Sequence, residues 1–157
     1  MKIAIRKAVL ADADAITECV QAAFQHYVER MGKLPGPMLN DYSEIIQQHA
    51  TFVATDRESV VGLLVLMQKS AGLLLDNIAV DPQCQGRGVG KLLLQFAEDE
   101  CRSRGYASIQ MYTHECMVEN VDMYQRCGWE ITEYRQELGF KRVYFSKAMS
   151  DPVPDQT

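Results

Sequence analysis

The stretch Gly72–Val80, GLLLDNIAV, runs into residues 81–91, DPQCQGRGVGK, and this junction decides the fold of the 157-residue chain. Its first part is almost continuously apolar, which predicts a buried strand. The strand ends at Asp81-Pro82, because proline cannot donate to a strand ladder. A helix is predicted over residues 91–104, and Gly105 is a good helix stop. The chain therefore passes from a strand through a glycine-rich turn into a long helix.

This glycine-rich turn is suited to an anion. The first N–H groups of a helix have no partner within the helix, and the helix dipole favours negative charge there. Glycines at 86, 88 and 90 allow a tight turn and a close approach of a ligand to the backbone. Arg87 and Lys91 add positive charge at the same place. The turn predicts a phosphate or pyrophosphate site; the alternative is a helix entry that only needs flexible residues.

Two nucleotide-binding motifs do not fit the turn. A Walker loop would need glycine at the position of Gln85 and a hydroxyl residue where Leu92 follows Lys91. A dinucleotide fingerprint would start at Gly86 and Gly88 but would need its third glycine where Lys91 stands. A nucleotide phosphotransferase is therefore disfavoured, since this turn offers no hydroxyl side chain to magnesium.

The rest of the chain predicts further strands and helices. Strand-forming runs occupy residues 3–8, 51–55, 60–67, 107–113, 129–135 and 143–147. Asp12 or Asp14 can cap a first helix, which the break at residues 32–37 ends. Further helices are predicted at residues 41–46 and 117–127, the second stopped by Gly128. The apolar face of the first helix consists of Ile16, Cys19, Val20, Ala23, Phe24 and Tyr27.

The order of these elements, βαα-βββ-α-β-α-ββ, predicts the fold class. We expect a mixed α/β (α+β) domain with a mostly antiparallel central sheet of about seven strands and about four flanking helices. Residues 1–149 are expected to form this domain. Residues 150–157 contain two prolines and no core residue, which predicts a flexible C-terminal tail.

Composition disfavours several classes of protein. Hydrophobic residues make up 47% and charged residues 24%, as in soluble globular domains. Five cysteines form no Cys-x-x-Cys pair and only three histidines accompany them, so we expect no disulfide framework and no metal, and a reducing, cytoplasmic location fits best. The N-terminus lacks a signal-peptide pattern, and no apolar run approaches the roughly 20 residues of a membrane span. A net charge of −5 argues against nucleic acid as a partner.

The turn motif Gln-x-x-Gly-x-Gly, at Gln85, Gly88 and Gly90, follows the sequence IAVDP at residues 78–82 and strongly resembles the GNAT superfamily of N-acetyltransferases. Other segments agree with the family in order and spacing: IRKA at 5–8, DADAI at 12–16, VGLL at 61–64 and ENVDMYQRCGW at 119–129. The resemblance covers nearly the whole chain. It implies the acyl-coenzyme A N-acyltransferase fold, with acetyl-coenzyme A as co-substrate and an amine as acceptor.

In this family the amides of the turn bind the pyrophosphate of coenzyme A. The resemblance also implies that the strand before the turn carries a bulge and splays from the next strand, so that its free backbone groups pair with the pantetheine arm. One of those N–H groups would stabilise the oxyanion that develops on the thioester carbonyl. The residues implied at the coenzyme are Ile78, Ala79, Val80, Gln85, Gly86, Arg87, Gly88, Val89, Gly90 and Lys91.

The implied reaction needs a proton donor and a base. Tyr124 matches the family tyrosine that contacts the coenzyme and protonates its leaving thiolate, although its helical spacing also fits a packed aromatic. Asp76 is the first candidate for the base, because burial of a carboxylate in an apolar strand would raise its pKa. A hydrogen-bonded carboxylate at a strand edge is the alternative. His114 and Glu115, at the end of the following strand, are the second choice.

One position departs from the family pattern. Many members have an asparagine seven residues before the tyrosine, where this chain has Met117. Asn120 lies about one helical turn later. It either takes over a contact with the coenzyme or caps the helix.

The acceptor side in this family is formed by the first two helices, their loop and the last hairpin. Tyr27 and Tyr42 are therefore candidates for binding the acceptor, as are His114 and Glu115, although both tyrosines also fit a packing role. We expect a primary amine of a small molecule or peptide as acceptor, and the sequence allows a homodimer. Two alternatives stay open: an enzyme acting on a protein N-terminus or lysine, and a non-catalytic acyl-coenzyme A-binding module.

Overall fold

A computed structural model describes residues 2–70 and 72–149 of the chain. The predicted C-terminal tail, residues 150–157, lies outside these described residues. The chain divides into two compact units, the first with Met1–Met67 and Leu75–Ala97, the second with Gln68–Leu74 and Glu98–Thr157. The predicted domain boundary at residue 149 stays a prediction.

The strands found in the described residues confirm those predicted from the sequence. Their bounds are Ile3–Lys7 (β1), Ala50–Asp56 (β2), Ser59–Lys69 (β3), Gly72–Val80 (β4), Ser108–His114 (β5), Glu130–Glu137 (β6) and Phe140–Ala148 (β7). Within that part of the chain they form one seven-stranded sheet in the order β1-β2-β3-β4-β5-β7-β6. The pairs β1–β2, β2–β3, β5–β7 and β6–β7 are antiparallel. The predicted splay beside β4 stays a prediction.

The helices also agree with the predicted order. Their bounds are Ala13–Phe24 (α1), Val28–Met31 (α2), Tyr42–Gln48 (α3), Val89–Ser103 (α4) and Val118–Arg126 (α5). α2 is a single turn, so the described residues contain four longer helices beside the sheet, and the predicted mixed α/β class is confirmed. No helix in the described ranges has both the length and the apolar character needed to cross a membrane.

In the first unit, α1 buries the face that its periodicity predicted. All six predicted face residues are buried, including Tyr27 in the 3₁₀ turn Gln25–Tyr27 that follows α1. Burial of a large apolar side chain contributes roughly 1.5–3 kcal/mol. Spacing alone therefore identified the part of this helix that holds it to the unit.

Gly62 in β3 sets how closely α4 packs on the sheet. A Cβ on Gly62 would lie 3.0 Å from the carbonyl oxygen of Ala79 and 3.1 Å from Cδ1 of Leu93. A side chain on Gly62 would therefore force the backbone of β4 to move, at a cost in free energy. The first turns of α4 are therefore fixed against β3 and β4, and the glycine-rich turn between β4 and α4 is held at both ends.

In the second unit, β5, β7 and β6 form an antiparallel group. Met111 of β5 pairs with Phe145 of β7, and both are buried. The β6–β7 hairpin closes through Leu138 and Gly139, whose φ angles of 52° and 80° are both positive. Two positive φ angles characterise the type I′ turn, whose twist matches the twist of the flanking strands. The turn predicted near Gly139 is therefore confirmed.

The predicted capping of α1 was wrong. Asp12 precedes α1, but its side chain makes no capping hydrogen bond to that helix. Its carboxylate accepts hydrogen bonds from the Arg6 guanidinium at 2.8 and 2.9 Å and from the Val9 N–H at 2.7 Å. The Arg6 hydrogen bonds hold the pKa of Asp12 below its usual value, and the Val9 N–H acts in the same direction. Asp12 therefore fastens the end of β1 to the segment before α1.

We expect Asp12→Asn to lower the free energy of unfolding by about 1–2 kcal/mol at neutral pH, because charge-assisted hydrogen bonds are lost beside a half-exposed Arg6. The pKa of Asp12 is lower in the folded chain than in the unfolded chain. Its contribution is therefore present above about pH 4 and is lost as the pH falls through the folded-state pKa. Urea unfolding of both proteins at several pH values between about 7 and 2.5 measures this difference.

The matched control is Asp122→Asn, which breaks the exposed ion pair with Arg126 at 3.0 Å. Exposed pairs contribute little, so this variant should change the free energy of unfolding by less than about 0.5 kcal/mol. Equal losses in the two variants, or a loss in Asp12→Asn that does not shrink in acid, would contradict the role assigned to Asp12.

Candidate active site

Strand β4 alternates in burial instead of being buried throughout. Leu73, Leu75, Asn77 and Ala79 are buried, whereas Leu74, Asp76, Ile78 and Val80 are half-buried. Successive side chains of a strand point to opposite faces, so Asp76 shares its face with Ile78 and Val80. The sequence suggested a carboxylate buried in an apolar strand; the structure places Asp76 on the more accessible face of that strand.

The segment after β4 is anchored to β3. The Asp81 N–H donates to the carbonyl of Val61 at 2.8 Å, and the Asp81 carboxylate accepts from the Gln83 N–H at 2.9 Å. Pro82–Cys84 then forms a 3₁₀ turn, in which the Cys84 N–H donates to the Asp81 carbonyl at 2.8 Å. The chain therefore enters the glycine-rich turn from a fixed point.

The glycine-rich turn requires glycine at two positions. Gly86 and Gly88 have φ angles of 81° and 83°, which side chains of L-residues rarely tolerate. Of the atoms in the described residues outside the immediate chain neighbours, none lies within 4 Å of a Cβ built on either glycine. This turn therefore leaves open space beside its backbone, where a ligand could approach.

Helix α4 begins at Val89, two residues before the predicted start. The Leu92 N–H donates to the Gly88 carbonyl at 3.0 Å and is the first amide of the helix ladder. The amides of Val89, Gly90 and Lys91 precede it, at the positive end of the helix dipole. The predicted anion-binding residues are thus brought together at the start of this helix.

Tyr42, predicted to contact the acceptor, is 3% exposed. Its hydroxyl donates to the Pro37 carbonyl at 2.7 Å and accepts from Asn77 Nδ2 at 3.0 Å. Burial raises the pKa of Tyr42, and the nearby Asp76 carboxylate raises it further. The hydroxyl therefore stays protonated and holds the loop before α3 against the centre of β4. Direct contact of Tyr42 with an acceptor stays a prediction.

Tyr27 is also buried. Its ring lies 3.8 Å from that of His26 between centroids, and the Arg30 guanidinium carbon lies 5.1 Å from its centre. Tyr27 therefore has packing contacts with its neighbours along the chain. Its predicted role in binding the acceptor stays a prediction.

In the second unit, Tyr124 is buried on α5, with 4% of its surface exposed. Its ring meets that of Phe145 edge to face, at 5.5 Å between centroids and 83° between planes. Its carbonyl accepts hydrogen bonds from the N–H groups of Cys127 at 3.1 Å and Trp129 at 3.0 Å. Ring and backbone are therefore both held in place, and the predicted role of Tyr124 as a proton donor stays a prediction.

Asn120 does not cap α5, so one of its two predicted roles was wrong. The N-cap position belongs to Met117, which makes no side-chain capping hydrogen bond, and Asn120 lies inside the helix. Its Nδ2 is 3.8 Å from the Met117 sulfur, a weak contact. Contact of Asn120 with the coenzyme stays a prediction.

The hydrogen bond made by His114 restricts its chemistry. The Cys116 N–H donates to Nδ1 of His114 at 3.1 Å, so the proton of the neutral ring belongs on Nε2. In this tautomer His114 can donate through Nε2, but it can accept a proton only by giving up its bond to Cys116. Glu115 is exposed, and its N–H donates to the carbonyl of Lys141 at 2.9 Å.

Sequence reasoning missed two groups in which residues distant in the chain meet. One is Asn77 with Tyr42, described above. The other joins the second unit's strands: the rings of Tyr112 and Tyr144 lie 5.5 Å apart, and the Tyr144 hydroxyl donates to Glu137 at 2.6 Å. The only sequence signal for the first group was a polar residue, Asn77, within an apolar run; strand pairing, which sequence patterns do not give, creates the second.

The fold and the turn together define a class of protein. A mixed sheet in which β4 leads through a glycine-rich turn into α4 is the arrangement expected of N-acyltransferases that use acyl-coenzyme A. Residues 14–129 match the family model described as the acetyltransferase (GNAT) family, and the chain belongs to that family.

Two named relatives agree with this assignment. The chain is 26% identical over 104 residues to the protein named "Probable N-acetyltransferase 14" of Xenopus tropicalis, across 65% of this chain and 50% of that protein. It is 29% identical over 95 residues to the [ribosomal protein bS18]-alanine N-acetyltransferase of Salmonella typhimurium, across 60% of this chain and 59% of that protein. The matched part of the chain thus spans 50% and 59% of the length of these two relatives.

A solved structure supports the fold. The PaiA N-acetyltransferase of Thermoplasma acidophilum, crystallised in complex with coenzyme A, superimposes with a TM-score of 0.79 at 16% identity. The superposition covers 94% of this chain and 99% of that one. At this sequence identity the similarity supports the fold but does not identify the acceptor of the acetyl group.

We expect Gly90→Asp to weaken the binding of coenzyme A at least tenfold, about 1.4 kcal/mol, because a carboxylate would face the phosphates. The folded chain has room for the side chain, since a Cβ on Gly90 would lie 3.8 Å from Val80 Cγ2. An acidic residue in the first turn of a helix is also favourable, so α4 itself should not suffer. Isothermal titration calorimetry with coenzyme A measures the affinity.

Gly105→Ala provides the opposite pattern as a control. Gly105 has a φ of 77°, so alanine should strain the end of α4 and lower thermal stability, while the affinity for coenzyme A stays unchanged. Full affinity in Gly90→Asp would remove the turn from the coenzyme site.

Proposed function

We propose that this chain transfers an acetyl group from acetyl-coenzyme A to a primary amine of a small molecule or peptide, by direct attack in a ternary complex. One observation carries the proposal: the turn between β4 and α4. It bears the family motif at Gln85, Gly88 and Gly90 and adopts positive φ at Gly86 and Gly88. Family membership supports this reading.

The amides from Gln85 to Gly90 hold the diphosphate of the coenzyme, and Arg87 and Lys91 add positive charge. A preorganised set of N–H donors at a helix start binds such a group without special side chains. Where β4 splays from β5, as the family resemblance implies, Ile78, Ala79 and Val80 offer backbone groups to the pantetheine arm in the way that a strand pairs with an added strand. No metal is needed in this scheme.

The chemical step joins the amine nitrogen to the carbonyl carbon of the thioester. A free primary amine with a pKa of about 10.4 is mostly protonated at neutral pH, so it must lose a proton before it attacks. The positively charged nitrogen of the tetrahedral intermediate gives a second proton to solvent, and the intermediate then breaks its carbon–sulfur bond. The departing sulfur takes a proton from the Tyr124 hydroxyl, which is replenished from solvent. The products are the acetylated amine and free coenzyme A.

Asp76 is the proposed base, acting directly or through water. It lies on the half-buried face of β4 and is next in the chain to Asn77, which donates a hydrogen bond to the Tyr42 hydroxyl. His114 is a poorer candidate because its Nδ1 already accepts a hydrogen bond. As a donor through Nε2, His114 suits contact with a carbonyl or carboxylate of the acceptor, together with Glu115 for a cationic group.

The acceptor is best sought with amines of different chemistry. The Salmonella relative acts, by its name, on the alanine of a ribosomal protein, which makes a peptide with a free N-terminal alanine a first probe. A lysine-containing peptide with a blocked N-terminus, spermidine and glucosamine 6-phosphate complete a small panel. Mass spectrometry of each amine after incubation with acetyl-coenzyme A detects transfer. Binding of coenzyme A without acetylation of any amine would favour the non-catalytic module.

We expect Tyr124→Phe to lower kcat about 100-fold with the best amine of the panel, because loss of a general acid costs typically a factor of 10²–10⁴. The ring that packs on Phe145 is retained, so the dissociation constant of coenzyme A should change less than about threefold. Steady-state kinetics and calorimetry measure the two quantities. Tyr42→Phe is the comparison, since it removes a hydroxyl with a structural role. An unchanged kcat in Tyr124→Phe would end the donor assignment.

We expect Asp76→Asn to lower kcat by at least about 100-fold, the usual cost of losing a general base, whereas His114→Gln should cost less than about tenfold. The two variants are compared with the same amine at saturating acetyl-coenzyme A. Calorimetry with coenzyme A should give near-normal affinity for both variants. The reverse ranking of the two losses would assign the base to His114.

A further inference from the structure

We propose that Lys147, with Glu98 as its buried counter-ion, is a positioning residue for Tyr124. It would act by fixing the end of the helix that carries the tyrosine. The inference rests on the proposed function of Tyr124 as proton donor. Its evidence, however, is a separate set of contacts that lies wholly within the second unit.

Lys147 binds two partners at once. Its Nζ is 2.9 Å from Oε1 of Glu98 and donates a hydrogen bond to the carbonyl of Cys127 at 2.8 Å. Glu98 is 5% exposed, and the other cation near it, Arg102, is farther away at 3.9 Å. Lys147 is therefore the principal partner of a buried carboxylate and is oriented by it.

The carbonyl of Cys127 is the one that ends α5. Cys127 is the C-cap residue of this helix. The last carbonyls of a helix accept no hydrogen bond from N–H groups of the same helix. They also form the negative end of the helix dipole, where a cation is favourable. A lysine ammonium at this point thus caps α5 from a neighbouring strand.

Strand β7 supports Tyr124 at two points. Phe145 and Lys147 are two residues apart in β7 and so project from the same face. Phe145 contacts the ring of Tyr124, while Lys147 holds the helix end three residues after it. The Tyr124 ring and the end of α5 are therefore both held by the same strand, β7.

Gly128 leaves room for this lysine. Its φ is 92°, and a Cβ at this position would lie 3.4 Å from Cε and 3.5 Å from Nζ of Lys147. The same turn carries the Trp129 N–H that donates to the Tyr124 carbonyl. The chain reversal after α5, the lysine and the tyrosine carbonyl thus form one connected group.

We expect Lys147→Met to lower kcat about tenfold while the dissociation constant of coenzyme A changes less than twofold. Loss of the cap should let the end of α5 move, so that the Tyr124 hydroxyl is misplaced for proton transfer. Lys147→Arg keeps the charge and the donors and should recover kcat to within about threefold of the wild type. Kinetics use acetyl-coenzyme A and the best amine of the panel.

The matched control is Arg126→Met, which removes a positive charge from the exposed ion pair on the same helix. It should leave kcat unchanged within twofold. The double variant Glu98→Gln/Lys147→Met should behave like Lys147→Met; because it leaves no unpaired buried carboxylate, it also keeps the test available where the single variant folds poorly. Hydrogen exchange should show faster exchange at the end of α5 in both lysine-to-methionine variants and slow exchange in Arg126→Met.

A double-mutant cycle decides whether Lys147 acts through Tyr124. In the Tyr124→Phe background, Lys147→Met should change kcat by less than twofold, because the hydroxyl that it positions is already absent. Equal tenfold losses in both backgrounds would overturn the inference and leave the donor role intact. An unaffected kcat in Tyr124→Phe alone would instead overturn the proposed function of the tyrosine, so the two failures are distinguishable.

Discussion

Backbone N–H groups at the start of α4 cannot all be satisfied within that helix, and the first unit is organised around this constraint. Gly86 and Gly88 adopt positive φ, so that the chain turns and leaves space beside the amides. The turn is held from both ends: Asp81 is bonded to β3, and Gly62 lets α4 pack directly on the sheet. A rigid frame around N–H groups that have no partner within their helix is suited to binding an anion with little entropic cost. The family resemblance carried by this short stretch thus has a physical basis.

Features that depend on neighbours in the chain could be predicted from the sequence. The buried face of α1 followed from spacing, and the ends of α4 and α5 followed from Gly105 and Gly128, which adopt the positive φ that such stops need. The hairpin at Gly139 followed from its turn chemistry. The start of α4 was placed two residues late, because Gly90, the last glycine of the motif, already lies inside the helix. Patterns within short stretches of sequence predicted the helices and strands and their order, and that order left few possible folds.

Features that depend on long-range pairing could not be predicted. Asp12 occupies the N-cap position of α1, but its carboxylate accepts hydrogen bonds from Arg6 and the Val9 N–H instead. Asn77 and Tyr42 meet because β4 turns alternate residues inward, which an almost continuously apolar run does not reveal. The capping role considered for Asn120 was excluded in the same way, since Met117 takes the cap position, whereas its contact with the coenzyme stays a prediction. In each case the sequence identified a side chain that can form hydrogen bonds, but its contacts depend on the tertiary structure.

The buried ion pair in the second unit illustrates what stability alone does not explain. Desolvation of two charges often cancels their attraction, so an apolar pair of similar size would hold the fold about as well. An apolar side chain could not donate a hydrogen bond to the carbonyl that ends α5, whereas the ammonium of Lys147 does so and is kept in place by Glu98. The pair therefore fixes the orientation of the helix end through a directional hydrogen bond, whereas apolar packing is not directional. If Tyr124 is the proton donor, as proposed, its hydroxyl must be directed at one particular sulfur atom, and a charged pair that fixes the end of α5 serves that requirement.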